Sequence, residues 1–317
     1  MSKSTSRTSE IRVGAAVLAG LLLTPPAAAL QLTQVTFGVP APSSQSEFDP
    51  AWSPDGNRLA VSGDFFSPGA FESWWFVGLV ELPGGVPVEF EATVGFDHVY
   101  YNQHPVWSPD GTQIAFRGGY PSGGLWLASV ATGAARLLIA ELPNSLDWSP
   151  DGTKIAFAVP AGIRVVDVAS GSFVPPVPQS GAQNPEWSAD GSKLAYDFGG
   201  YIWVLDVATA VATQVSTGPG NHQHPTWSPD GHWIAFASGP GDGADLWVIG
   251  SAGGAAIQLT SGPAYEREPV WSPDGERIAF TVWNPNDGPH VWVASDLPTF
   301  TVPVRNASWS ALKRMYR

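Results

Sequence analysis

The side chains in this sequence with the greatest capacity for chemistry stand three positions before a repeated tryptophan. The six positions with this spacing hold Asp49, His104, Ser145, Asn184, His224 and Glu268. Two imidazoles and two carboxylates can bind a divalent cation, or can place a general base beside a bound substrate. They can act together only if the fold brings distant parts of the chain to one point, which depends on the elements that carry them.

Each of these positions precedes a copy of the motif WSPDG, written once as WSADG. The first residues of the six copies are Trp52, Trp107, Trp148, Trp187, Trp227 and Trp271. Their spacings are 55, 41, 39, 40 and 44 residues, so the first unit carries an insertion. Repeats of about 40 to 45 residues with four strand-like segments are typical of propeller blades.

The last complete unit illustrates the four segments. Extended residues 268–272 are followed by Pro273-Asp274-Gly275, whose residue types favour a tight turn. Residues 277–280 and 290–294 read as the second and third strands, and 300–304 as a candidate fourth. The motif is therefore predicted to form the corner between the first two strands, with its tryptophan packed between neighbouring blades. A catalytic Ser or Asp would not need six copies, whereas a ring of blades does.

The composition agrees with a fold of many short strands. The chain has 35 Gly, 30 Pro and 15 Trp among 317 residues, which suits tight turns and large apolar packing groups better than long helices. We therefore predict an all-β fold, a six-bladed β-propeller of four-stranded antiparallel blades, formed by residues 30–317 as a single domain.

Closure of the ring has two candidate solutions. Residues 31–37 resemble the fourth strand of a unit and could complete the last blade, and residues 299–304 compete for the same place. Further on, residues 307–310 resemble the start of a seventh unit that is not continued.

The first 29 residues differ from the rest and are typical of a cleaved signal peptide. Three basic residues precede the apolar run 13–23, which prolines end, and Ala27-Ala28-Ala29 suits cleavage. Cleavage would change the formal charge from −13 to −15, because three basic residues and one acidic residue leave. A periplasmic or secreted bacterial protein is predicted, with no membrane span after cleavage. Its negative charge disfavours nucleic acid as a partner.

The WSPDG units, each followed by a strand such as Ile278-Ala279-Phe280, resemble the repeats of the TolB-like, WD-related β-propeller family. The resemblance covers nearly the whole chain after residue 29 and implies a propeller fold. TolB itself carries an additional α/β domain before its propeller. Only residues 30–49 precede the first motif here, so the resemblance is to the propeller part alone.

In a closed ring the sixth blade neighbours the first, so His224, Glu268, Asp49 and His104 are predicted to form a continuous arc at the channel mouth. Gln103 and Gln223 stand one residue earlier, and His222 one before Gln223. The predicted ligand-binding residues are Asp49, Gln103, His104, Asn184, Gln223, His224 and Glu268. Three interpretations remain open: a solvated polar rim, a contact for a small molecule, peptide or sugar, or a divalent metal held by His104, His224, Asp49 and Glu268.

A second candidate surface lies in the long first unit. Its aromatic residues are Phe65, Phe66, Phe71, Trp74, Trp75, Phe76, Phe96, Tyr100 and Tyr101. Residues 74–80 read as a third strand, so part of this set belongs to the core. The rest could form a platform for sugar rings or a partner protein.

The sequence contains no G-x-S-x-G elbow, no P-loop and no H-E-x-x-H. The leading hypothesis is therefore a non-catalytic scaffold whose channel mouth binds an envelope or extracellular protein or peptide, without a cofactor. The alternative is a metal-assisted, lyase-like enzyme acting on carbohydrate. A structural envelope protein without a small ligand is the third interpretation.

Overall fold

A computed structural model describes most of the predicted domain. The described residues are 30–36, 44–67, 72–84, 88–90, 93–94, 97–98, 102–119, 122–177, 179–240, 243–284, 288–298 and 300. The predicted signal peptide and the incomplete seventh unit lie outside them.

The described residues form six four-stranded antiparallel sheets and a small two-stranded sheet, and contain no helix. The strands are β1 (Gln31–Gln34), β2 (Ser44–Trp52), β3 (Arg58–Ser67), β4 (Glu72–Glu81), β5 (Val88–Glu89), β6 (Thr93–Val94), β7 (Asp97–His98), β8 (Gln103–Trp107), β9 (Gln113–Gly118), β10 (Gly124–Ser129), β11 (Ala135–Ile139), β12 (Ser145–Trp148), β13 (Lys154–Val159), β14 (Gly162–Asp167), β15 (Phe173–Val177), β16 (Gln183–Trp187), β17 (Lys193–Phe198), β18 (Tyr201–Asp206), β19 (Val211–Gln214), β20 (Asn221–Trp227), β21 (Trp233–Gly239), β22 (Asp245–Gly250), β23 (Ile257–Gln258), β24 (Tyr265–Trp271), β25 (Ile278–Asn284) and β26 (Gly288–Ser295).

Each four-stranded sheet is one blade, and in the first five blades the strands follow one another in chain order. Blades 1 to 5 are β2–β5, β8–β11, β12–β15, β16–β19 and β20–β23, and blade 6 contains β24, β25, β26 and β1. The prediction of a six-bladed propeller with four-stranded antiparallel blades is confirmed. No helix in the described part of the chain is long and apolar enough to cross a membrane.

The serine of the motif explains why the same corner forms in every blade. In blade 1 the Ser53 hydroxyl accepts a hydrogen bond from the Arg58 amide (3.0 Å) and donates to Asp55 Oδ1 (2.5 Å). Asp55 Oδ1 also accepts the Asn57 amide at 3.1 Å, and Gly56 takes a φ of 69°, which glycine adopts without steric cost. The turn thereby satisfies its own polar groups and fixes where the second strand begins.

The repeated tryptophans lie in the cores between adjacent blades. Trp52 is 7 % exposed and shares a cluster with Val61 of its own blade and Val293 of blade 6. Its indole N–H donates to the Val270 carbonyl across that interface at 3.0 Å. The other five tryptophans occupy the corresponding clusters, so one core fills each of the six interfaces.

The N-terminal strand closes the ring. β1 pairs antiparallel with β26, from Gln31 opposite Ser295 to Gln34 opposite Trp292. This is the first of the two closures considered from the sequence. In the competing segment Phe300 is not part of a strand, and residues 301–304 lie outside the described residues.

Candidate functional site

The candidate positions stand at breaks in the regular pairing of the innermost strands. The break appears as a register shift in five blades, together with a left-handed backbone at Asp49, His104, Asn184, His224 and Glu268, with φ between 49° and 55°.

Proline accounts for this pattern. Each of these five residues is followed by Pro, which has no N–H for the sheet and occurs inside sheets mainly at edges and bulges. Blade 3 supports this explanation. Its Ser145 is followed by Leu146 instead of Pro, and it pairs regularly with Ala158 without a bulge. An X-Pro dipeptide before Val-Trp, Ala-Trp, Glu-Trp or Thr-Trp is thus the local signal for a bulge.

The bulged residues from all parts of the ring line one central cavity of about 280 Å³. All six positions recognised in the sequence lie on its wall. Gln103 and Gln223 do not line it, and neither does His222, which is buried with its Nδ1 2.7 Å from the Ser216 hydroxyl. The structure therefore brings together the residues three positions before each tryptophan and leaves the flanking glutamines outside.

His104 and Asp49 form a tight pair on the cavity wall. His104 Nδ1 lies 2.9 Å from Asp49 Oδ2, and the two side chains are 28 % and 11 % exposed. Ser62 supports both residues, since its hydroxyl donates to Asp49 Oδ2 (3.1 Å) and accepts the His104 amide (2.8 Å).

This pairing governs both titrations. Burial acts to raise the pKa of Asp49, but the charge and hydrogen bond of His104 outweigh it and the pKa falls below its ordinary value. Burial likewise acts to lower the pKa of His104, and the carboxylate of Asp49, with a smaller contribution from Glu268, raises it instead. The pair therefore favours an imidazolium beside a carboxylate.

Glu268 joins this pair from blade 6. Its Oε2 accepts the Asp49 amide at 3.0 Å and the Thr281 hydroxyl at 2.7 Å, and its Oε1 lies 3.2 Å from Arg267 Nε. Burial and the nearby charge of Asp49 raise the pKa of Glu268, partly opposed by Arg267. Blades 6, 1 and 2 are thus linked at the mouth by one chain of polar contacts.

Asp197 organises the opposite part of the wall. Its Oδ1 accepts Asn184 Nδ2 at 2.7 Å and the His224 amide at 3.2 Å, while the Asn184 amide donates to Ser145 Oγ at 3.0 Å. Asp197 is 7 % exposed, and its burial raises its pKa against the opposing influence of His224. The backbone amides of Asn184 and His224 are therefore each tied to a polar side chain of the preceding blade.

Two carboxyl groups of the cavity were missed in the sequence reasoning. Asp147 and Glu186 stand one residue before their tryptophans, where the other blades have Ala, Val or Thr. Asp147 Oδ2 accepts the Trp187 amide at 2.7 Å, and Glu186 Oε1 accepts the Trp227 amide at 3.0 Å. The signal was available in the aligned repeats as two acidic residues at a position that is otherwise apolar or hydroxylic.

Both of these carboxyl groups are poorly solvated. Burial raises the pKa of Asp147 to about 7, although two backbone N–H groups oppose the effect. Burial also raises the pKa of Glu186 well above its ordinary value, and the charge of Asp147 adds to the rise. Two neighbouring blades therefore present a carboxyl pair that gains from any positive charge brought into the cavity.

The metal site predicted at His104, His224, Asp49 and Glu268 stays a prediction. Within the described residues, no group of three or more His, Asp or Glu side chains could hold a metal ion. The Nδ1 atom of His104 and the carboxylates of Asp49 and Glu268 are engaged with one another or with neighbouring donors.

Part of the aromatic surface lies in the long strands of blade 1. Phe65 pairs with Trp74, and Phe66 with Ser73, in the β3–β4 hairpin, and Phe76 is buried. Residues 71, 96, 100 and 101 lie outside the described residues. From blade 6, Trp283 at the end of β25 is 43 % exposed.

The fold and its inter-blade tryptophans define a six-bladed β-propeller of TolB-like repeats. Residues 178–295 match the family of the TolB beta propeller domain, which confirms the resemblance seen in the motifs. The match includes the motif copies of blades 4, 5 and 6, and the same corner recurs in the other three blades.

Solved structures show the same architecture at low sequence identity. A putative TolB from Agrobacterium tumefaciens aligns with a TM-score of 0.59 and 21 % identity over 80 % of this chain and 91 % of that chain. TolB from Acinetobacter baumannii gives 0.55 and 14 %, over 81 % of each chain. An oligogalacturonate lyase from Vibrio parahaemolyticus gives 0.55 and 13 %, over 84 % of this chain and 93 % of that one. A comparison with curated proteins gave no match.

Proposed function

We propose that this protein is an exported binding scaffold whose channel mouth takes a positively charged side chain from a peptide or protein of the cell envelope or surroundings. The observation that carries the proposal is the charge of the cavity wall. Four carboxyl groups line it, from Asp49, Asp147, Glu186 and Glu268, together with two histidines and no Lys or Arg.

Charge matching supports a cationic ligand rather than an anionic one. Asp147 and Glu186 hold protons more tightly than ordinary carboxyl groups because they are enclosed and close to each other. An ammonium or guanidinium group placed between them would replace those protons and receive charge-assisted hydrogen bonds. The excess of acidic residues over the whole chain, with a formal charge of −13, would steer such a ligand toward the protein.

The shape of the site supports a protruding chain segment as the ligand. A cavity of about 280 Å³ at the centre of a ring suits one extended side chain or a short peptide loop better than a flat protein face. The predicted signal peptide would place the protein where envelope and extracellular proteins are its neighbours.

The carbohydrate enzyme predicted as the alternative has less support. It requires a metal held by several side chains at the channel, and the described residues offer no group of three. Likeness to a lyase at 13 % identity concerns the fold alone. The metal site stays a prediction, for which calorimetric titration with Mn²⁺, Zn²⁺ and Ca²⁺ is the direct measurement.

The test of the proposed function is selection of random heptapeptides displayed on phage against the purified protein. We expect Lys or Arg to be enriched in the selected peptides, and their affinity to fall by roughly tenfold or more in the double variant Asp147→Asn/Glu186→Gln. The matched control is Asp151→Asn, which removes one carboxylate of a motif turn outside the cavity.

Selected peptides without basic residues would overturn the proposal that the cavity takes a positively charged side chain. Basic peptides that bind the double variant as tightly as the wild type would place the binding site elsewhere on the molecule. Because Asn and Gln retain the acceptor oxygens of the carboxyl groups, the inter-blade hydrogen bonds survive in the double variant. A melting temperature no lower than that of the wild type would show that any loss of binding is local.

A further inference from the structure

The turn face of the propeller, which carries the motif corners, has grooves between its blades, and one groove is lined in part by the segment that follows β26. Between blades 5 and 6, the segment after β26 lays Leu297, Pro298 and Phe300 over the motif turns. The Phe300 ring lies 5.3 Å from that of Trp233 and 6.2 Å from that of Trp271. In this groove the fold therefore already packs an aromatic side chain against a motif tryptophan.

In two other grooves, the residue six positions after one motif tryptophan covers the motif tryptophan of the next blade. Arg277 lies 4.6 Å above the Trp52 ring and donates to the Gly56 carbonyl, and Arg58 lies 4.7 Å above the Trp107 ring. These two cation–π contacts close the grooves on either side of blade 1.

The groove between blades 4 and 5 differs from these. Trp227 and Pro229 line it together with Lys193, and the carboxylates of Asp190 and Asp230 stand beside them. Hydrogen bonds from the motif serines lower the pKa of Asp190 to about 2 and contribute to the lowered pKa of Asp230, so both carry negative charge at neutral pH. The groove thus combines an indole with two carboxylates and the single ammonium group of Lys193, and it carries a net negative charge.

The direction of the chain leads from the groove between blades 5 and 6 to the groove between blades 4 and 5. The segment leaves blade 6 at Ser295 and reaches Phe300, whose ring is nearer to Trp233 of blade 5 than to Trp271 of blade 6. The next groove in the same direction lies between blades 4 and 5. Nine further residues reach Trp309, enough to span roughly 30 Å when extended, against about 10 Å between packed sheets.

We propose that residues 301–317 dock on the turn face, with Trp309 in the groove between blades 4 and 5 and the basic residues Lys313, Arg314 and Arg317 beside Asp190 and Asp230. The incomplete seventh motif then serves as an aromatic plug for an inter-blade groove and starts no further blade. No described residue lines both this groove and the central cavity, so the docking site is separate from the proposed ligand site.

The absence of native cysteine allows a direct test in the full chain. Ser310→Cys is combined either with His232→Cys, in the proposed groove, or with Thr153→Cys, the equivalent exposed turn residue of blade 3. Docking raises the effective concentration of the partner thiol, so we expect the His232→Cys pair to form its disulfide roughly tenfold faster or more. Equal rates in the two pairs would overturn the proposal.

A third substitution separates the plug from a loosely attracted tail. Adding Trp309→Ala to the Ser310→Cys/His232→Cys protein should remove most of the rate advantage, and 0.5 M salt, on the order of a 4 Å Debye length, should reduce the remainder. An advantage that survives Trp309→Ala would overturn the assignment of Trp309 to the groove. Matching circular dichroism spectra of all variants before oxidation would show that the propeller is folded in each.

Discussion

Replacing Asp147 by Asn should stabilise the protein at neutral and alkaline pH. The folded state raises the pKa of this carboxyl group from 3.8 to about 7, so folding favours its protonated form. Between these two values the folded state binds more protons than the unfolded state, and stability therefore falls as pH rises. Asn cannot ionise, and its side-chain oxygen can still accept the Trp187 amide that Asp147 accepts at 2.7 Å.

The size of the stability gain follows from the difference between the pKa of 3.8 in the unfolded state and the pKa of about 7 in the folded state. At about 1.4 kcal/mol for each pKa unit, the interval sets a ceiling of about 4 kcal/mol on the gain above pH 7. Asp147 is partly exposed to the channel, so we expect about 2 kcal/mol, or roughly 4 °C in melting temperature for a domain of this size. At pH 4 the two proteins should have nearly the same stability.

Urea denaturation from pH 4 to 8.5 measures this difference directly. Asp151→Asn is the control with the opposite sign, because hydrogen bonds from Ser149 and Thr153 lower the pKa of Asp151 to about 2. The stability of the Asp151→Asn protein relative to the wild type should therefore not increase as pH rises. An Asp147→Asn protein that is no more stable than the wild type at pH 8 would refute the conclusion that the enclosed wall of the channel resists ionisation of this carboxyl group.

Three further predictions concern the packing, the mouth and the closure. Trp148→Ala should reduce the free energy of unfolding by about 3–5 kcal/mol and lower the melting temperature far more than Asp151→Asn does. If Asp151→Asn removed peptide binding without changing the melting temperature, the motif would have a functional role. Asp49→Asn should lower the pKa of His104, since the carboxylate charge is what outweighs burial there; an unchanged value in an NMR titration would contradict this. Deleting residues 30–36 should strongly destabilise the fold, because β26 would lose its outer partner, and a deletion variant that melts like the wild type would exclude the N-terminal strand as the closure.

The repeat made the architecture readable from the sequence. A Ser-Pro-Asp-Gly corner carries its own hydrogen bonds, as Ser53 and Asp55 show, so its structure depends little on distant residues. Six such corners at blade spacing define the number of blades, and a bulky Trp beside each one must be buried. Because the third position before Trp lies on the innermost strand of every blade, its convergence on the axis could also be predicted.

The candidate site was predictable in part. The residues at the bulges line the cavity, but Gln103 and Gln223, which directly precede two of them, do not, since successive side chains of a strand point to opposite faces. Asp147 and Glu186 were overlooked because each is a single acidic residue next to a core tryptophan. Their importance comes from lying in adjacent blades around one enclosed space.

The sequence by itself thus determined the blade, its turn and the residues that face the axis, because these depend on local hydrogen bonding and on the spacing of apolar residues. Only the tertiary structure decided which strand closes the ring, since β1 and β26 are separated by almost the whole chain and pair through backbone groups common to every residue. It also decided the charge state of the mouth. A pKa such as that of Asp147 reflects the solvent excluded and the charges gathered by all six blades, which no single stretch of sequence contains.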